Sequence, residues 1–122
     1  MNVLRSTMDT TQIKDWHAHV YFDPASRDRA WALRERIEKT FDINMGRFHE
    51  KPVGPHPRFS YQVHFKNEQL APLVSWLALN RGDLTVFVHP NTGEDLEDHR
   101  DRAIWLGEQV PLILDVLKKK DA

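Results

Sequence analysis

The chain has 122 residues, 40 % of them hydrophobic and 29 % charged, with a formal net charge of -1 when its histidines are neutral. That composition fits one ordinary globular domain over residues 1–122 and excludes a basic nucleic-acid-binding surface. There are no cysteines, so disulfides and thiolate chemistry are excluded and any metal site must use imidazole, carboxylate or carbonyl oxygen.

Residues 1–12 are polar and aperiodic and read as a loose N-terminal arm without the apolar region of a signal peptide. No apolar run approaches the roughly 20 residues of a membrane span, so a cytoplasmic location is expected. The stretch Asp15-Trp16-His17-Ala18-His19-Val20-Tyr21-Phe22 organises the rest of the chain. Trp16, Ala18, Val20 and Phe22 alternate with His17, His19 and Tyr21, which predicts a strand with one apolar face and one face bearing two imidazoles and a phenol. Two histidines at i and i+2 on a strand can point at one ion. The plain alternative is a solvated polar face.

Asp23-Pro24 suits a helix start, with Asp23 as N-cap and Pro24 in the first turn. Ala30, Leu33, Ile37 and Phe41 then form one apolar stripe, predicting a helix to about Phe41. Residues 44–53 read as a second strand, closed by Pro52-Val53-Gly54-Pro55. His56 lies between Pro55 and Pro57, which restrict the backbone on both sides of it. Alternation from Arg58 to Lys66 predicts a third strand, and Leu70, Leu73, Val74 and Leu77 a second helix capped by Asn67 and stopped at Gly82. Leu84 to Val88 is a fourth strand delivering His89. A third helix is expected from Asp95 to Leu106, carrying His99. A last short helix is expected around Val110, Ile113, Leu114 and Leu117, ending in Lys118 to Lys120.

The order β-α-β-β-α-β with a helical tail predicts an α+β, ferredoxin-like fold: a four-stranded antiparallel sheet with helices on one face. In this reading strands one and three are central and parallel, and strand four lies antiparallel beside strand one. His17, His19, His56 and His89 then converge at one end of the sheet. His64 falls towards the far end of its strand and His49 on the outer strand, so both rank lower. The open sheet face predicts a homodimer, with Phe48, Phe87, the strand edges and the helical tail as candidate contacts.

His17-Ala18-His19-Val20-Tyr21-Phe22, Gly54-Pro55-His56-Pro57, His89-Pro90-Asn91-Thr92-Gly93 and Asp98-His99 occur in an order and spacing that resemble the DOPA 4,5-dioxygenase family. The resemblance runs from Trp16 to about Leu106. It implies an extradiol, ring-cleaving dioxygenase using iron(II) on DOPA or a related small catechol with dioxygen, and carries over His17, His19, His56, His89 and His99. Another divalent metal such as zinc can occupy such a site in purified protein. The usual non-haem iron site has two histidines and a carboxylate. Here the nearest carboxylates in sequence are Glu50 and Glu94, so a three-histidine site or one completed by Glu94 is expected. Common face and shared sheet end assign His17, His19 and His89 to the metal, with His56 as the alternative ligand. His56 is assigned proton transfer, His99 a supporting role, and Tyr21 and Arg58 substrate binding. Two other classes stand beside the enzyme: a metal- or ligand-binding ferredoxin-like module without dioxygenase activity, and an interaction domain whose histidine face is an oligomer interface.

Overall fold

The computed structural model describes residues 7–118. Its centre is a five-stranded sheet rather than the expected four. The strands are β1 (Asp15–Phe22), β2 (Asn44–Met45), β3 (Phe59–Phe65), β4 (Thr85–Asn91) and β5 (Ile104–Leu106). They lie in the order β2-β3-β1-β4-β5, and every neighbouring pair is antiparallel. Three α-helices accompany it: α1 (Arg27–Thr40), α2 (Leu70–Asn80) and the short α3 (Asp95–Arg100). Among the described residues no helix is long and apolar enough to cross a membrane.

The alternation in β1 sorts its side chains as expected. Trp16, Ala18, Val20 and Phe22 join Tyr61, Val63 and Phe65 of β3 and Val86 and Val88 of β4 in the main core. Ala30, Leu33 and Ile37 of α1 and Leu73 and Leu77 of α2 close over them. Each fully buried aliphatic side chain contributes roughly 1.5–3 kcal/mol by leaving water. The Tyr61 hydroxyl adds a tie by donating to the Ala30 carbonyl at 2.9 Å.

Several boundaries differ from the sequence reading, each for a local reason. α1 begins at Arg27, because Asp23 caps the preceding turn instead: Ser26 N–H donates to Asp23 Oδ1 at 2.8 Å, and Asp23 N–H to Ser26 Oγ at 2.9 Å. The second strand shrinks from residues 44–53 to Asn44–Met45, with single bridges beyond it at His49–Ser60 and Val53–His56. Gly46 crosses so close to β3 that a Cβ there would lie 3.0 Å from the Gln62 carbonyl oxygen, and Pro52 cannot donate to a ladder. The third helix stops at Arg100, and Ile104–Leu106 pair with Val86–Val88 as β5. Ile104 and Trp105 suit a pleated surface, and β4 offers them an unpaired edge.

The C-terminal segment is not the expected helix. Only Leu114–Leu117 make a 3-10 turn, and Pro111 lacks the N–H an α-helix would need. Lys119 and Lys120 lie outside the described residues, as do residues 1–6 of the expected arm, whose residues Thr10–Gln12 form a 3-10 turn. The tail instead runs over the second sheet face, where Val110 and Leu112 pack with Tyr21, Phe87, Ala103 and Trp105. Ile113 N–H donates to the Pro55 carbonyl at 2.9 Å, fastening the tail to the loop that carries His56. Phe87 is therefore fully buried and is not available as the dimer contact expected of it.

Candidate metal centre

The second sheet face is built in rows across the strands. His17 of β1 lies opposite His64 of β3 and His89 of β4. One row along, His19 lies opposite Gln62 and Phe87; in the next, Tyr21 lies opposite Ser60 and Thr85. β1 and β3 run antiparallel, not parallel as expected. The reversal moves His64, at the far end of β3, beside His17, with ring centroids 5.2 Å apart. It also means that the loop entering β3 starts at the opposite end of β1 from His17. His56 reaches the cluster by folding over the face, not by sharing that end, and its ring lies against that of His19, tilted, with centroids 4.1 Å apart.

One nitrogen each of His17, His19 and His89 lies within 4.8 Å of the other two. His19 Nε2 and His89 Nε2 stand 3.1 Å apart. Donors bound to one ion at about 2.0–2.2 Å come to roughly this separation. The His89 tautomer is set by its surroundings: Nδ1–H donates to the Pro90 carbonyl at 2.9 Å, so Nε2 keeps its lone pair and faces the group. Burial holds all three rings in the neutral form. It pushes His17 down to about 4 and His89 to about 3, and His19 well below its ordinary value, with neighbouring imidazoles adding to the effect. A buried set of neutral imidazoles with converging lone pairs has the donor chemistry of a transition-metal site.

Around this trio the other expected residues divide. His56 is buried, and its Nδ1 lies 2.6 Å from the Tyr21 hydroxyl. Its backbone is held in a turn by His56 N–H donating to the Val53 carbonyl, and burial lowers its pKa to about 4. The His99 ring packs against that of His89, tilted by 33° with centroids 3.9 Å apart, and donates from Nδ1 to the Asp95 carbonyl one helical turn back. The segment that carries it is locked by buried Asp98, whose carboxylate accepts from Thr92 N–H at 2.8 Å and Arg102 at 2.9 Å. Tyr21 and Arg58 line one cavity of about 530 Å³. Arg58 spends its fork on Glu108, with two bonds of 3.0 Å. His49 meets Ser60 only through backbone hydrogen bonds, on the outer side of β3.

Neither carboxylate expected near the site joins the trio. Glu94 pairs with Arg102 and Glu50 with Arg27. The carboxylate that does stand close is Asp15, grouped with His17 and His64 within the same 4.8 Å limit. Its signal was the alternation Asp15-x-His17-x-His19, which puts all three on one face of β1.

Comparison with known proteins bears on what this arrangement is for. Residues 16–116 match the Dopa 4,5-dioxygenase family. A DOPA 4,5-dioxygenase from Amanita muscaria is 36% identical over 91% of this chain, and an uncharacterised 21.2 kDa protein from Botryotinia fuckeliana is 42% identical over 83%. The matches span 52% and 62% of those two proteins, so the chain corresponds to little more than half of their length. A crystal structure of a candidate dioxygenase from Nostoc punctiforme PCC 73102 superposes with a TM-score of 0.89 at 45% identity, covering 91% of this chain and 96% of that one. With the match running from the histidine strand to the tail that covers it, the chain belongs to the Dopa 4,5-dioxygenase family.

Proposed function

We propose that the chain is a non-haem iron(II) dioxygenase that opens DOPA or a related small catechol at the bond beside the diol. The observation that carries this is the group of half-buried His17 with buried His19 and His89, supported by the A. muscaria relative. These three residues would hold iron. When bound, the metal supplies the electronic coupling that lets a catechol react with dioxygen. Both oxygen atoms enter the product, a ring-opened semialdehyde, and no external reductant is consumed.

The chain's own residues supply protons and position. His56 rests as the neutral base. With its Nδ1–H donated to the Tyr21 oxygen, its Nε2 lone pair is free to take a catechol proton. Protonated in so dry a place, the ring is a strong acid and returns the proton as the ring opens. Protonation at Nε2 leaves the Nδ1–H bond to the Tyr21 oxygen in place, so the ring keeps its orientation through the cycle. His99, packed against His89, steadies that ring. Arg58, which lines the same cavity as Tyr21, suits the carboxylate of an amino-acid substrate if it releases Glu108. The family match and the A. muscaria relative favour an enzyme over a purely metal-binding module.

The test is direct. Protein reconstituted with iron(II) without air is mixed with L-DOPA, oxygen is admitted, and the yellow semialdehyde is followed by absorbance. Product formation with one oxygen consumed per catechol is expected. Fully loaded protein that leaves a panel of catechols untouched rejects the enzyme reading and leaves the binding module.

A further inference from the structure

Beyond the three-histidine group, the same face carries a second set of donors. Asp15 Oδ2 and His64 Nε2 are 2.8 Å apart, and with His17 they form another group whose ligand atoms all lie within 4.8 Å. The set is one carboxylate and two imidazoles, the composition suited to iron(II) and similar divalent ions. Asn91 Nδ2–H donates to Asp15 Oδ1 at 2.7 Å, which fixes the carboxylate and leaves Oδ2 directed at His64. The 2.8 Å gap is close to the roughly 3 Å spacing of adjacent donors on one ion bound at about 2.0–2.2 Å. A cation can therefore replace the shared proton with little movement of either side chain.

The two groups differ in access. His19 is 4% exposed and His89 0%. By contrast, the Asp15 and His64 side chains are 31% and 36% exposed and border a cavity of about 370 Å³. His17 belongs to both groups. A neutral imidazole has one lone pair, so His17 serves one ion at a time unless it loses its last proton, which is costly. We infer that Asp15, His17 and His64 form an outer seat for a divalent cation, through which the ion passes by way of His17 to the buried centre. Lys14 and Lys66 on the rim oppose Asp15 and Asp42 there, which suits a seat that holds the ion briefly.

The inference rests on the inner centre proposed above, but its test uses no catechol and no turnover. Cobalt(II) binding to the metal-free protein is followed by its visible absorbance, at equilibrium and by stopped flow. Wild type should take up one ion. Asp15→Asn and His64→Gln should each reach the same one-ion endpoint but load about tenfold more slowly or worse, the usual scale of a lost electrostatic guide. His19→Ala/His89→Ala should still bind one ion, more weakly, and adding Asp15→Asn should abolish that binding. Wild-type loading rates in both Asp15→Asn and His64→Gln overturn the entry route, and two ions on wild type overturn exclusive occupancy. A double variant that is folded by circular dichroism yet binds nothing overturns the outer seat itself. Because binding alone is read, a protein inactive on every catechol still answers the question.

Discussion

The two faces of one sheet have been put to opposite uses. Against α1 and α2 the sheet presents Trp16, Ala18, Val20, Phe22, Val63 and Val86, and the space between is filled with hydrocarbon. The other face is just as closed at its middle, yet it is closed over polar groups: His19, His56 and His89 are buried there beside Tyr21 and Phe87. Burying a polar ring without a partner is costly. That face therefore answers each ring with a specific neighbour, such as Pro90 O for His89 and the Tyr21 hydroxyl for His56. A core made of hydrocarbon holds the strands rigid, and a face made of paired imidazoles is available for chemistry. The strand alternation lets residues two apart share a role while their immediate neighbours do something else.

The most severe way to break this division is to remove a ring from the inner trio. His89→Ala should reduce bound iron from one per chain towards none after gel filtration, as measured by elemental analysis, with ring-cleavage activity lost alongside it. His19→Ala should do the same. Full iron retention in both would remove those residues from the ligand set. Next comes His56→Gln, which keeps a polar side chain in the loop. Iron should stay, while turnover falls by about 10²–10⁴-fold, the scale of general acid–base catalysis. Loss of iron in this variant would instead make His56 a ligand.

Much of this was legible in the sequence because strand alternation and helix periodicity are local signals. Trp16 to Phe22 named both faces of β1, and Ala30, Leu33 and Ile37 named the buried stripe of α1. What was illegible was relative direction. Treating strands one and three as parallel sent His64 to the wrong end and brought His56 to the cluster by the wrong route. Nothing within either strand records which way its neighbour runs. The tail was illegible for a related reason. Val110 and Leu112 are spaced for a strand-like cover, but Leu114 and Leu117 fit a helix equally well, and only the Phe87 surface beneath decides between them. Asp15 was visible on the correct face, but its partner His64 lies 49 positions away in the chain, and the pair exists only through the antiparallel register.

A third experiment separates stability from function. Leu73→Ala empties part of the helix-side core and should cost about 2–5 kcal/mol in urea unfolding, while Phe87→Ala should cost about 3–5 kcal/mol. The comparison lies in the metal. Leu73→Ala should bind cobalt(II) with wild-type affinity while folded, because the rows of histidines do not touch that cavity. Phe87→Ala should also weaken binding, because Phe87 packs at 5.6 Å from the His19 ring and 5.2 Å from the His89 ring. Equal loss of affinity in the two variants would show that the faces are coupled through the sheet and not divided by it.

The mildest perturbation is a small step in pH, and it acts on only one face. In the metal-free protein, burial holds His17 and His56 at about 4 and His89 at about 3, against an ordinary value of 6.5. The unfolded chain takes up protons at these positions once pH falls below about 6.5, and the folded chain does not. Protons therefore favour unfolding. This part of the stability is whole above pH 6.5 and is lost progressively as pH drops through the window down to about 4 for His17 and His56 and about 3 for His89. From pH 7 to pH 6 the urea midpoint should fall slightly, and from pH 6 to pH 5 more steeply. The helix-side core contributes nothing to this slope, so Leu73→Ala should shift the whole curve downwards without changing its shape. His56→Gln removes one titrating ring and should flatten it. Saturating zinc should flatten it further, since a bound cation competes with protons for the same lone pairs. A urea midpoint that stays level from pH 7 to pH 5 without metal would mean that the folded face admits protons as readily as the unfolded chain, and that it is more open to water than its packing indicates.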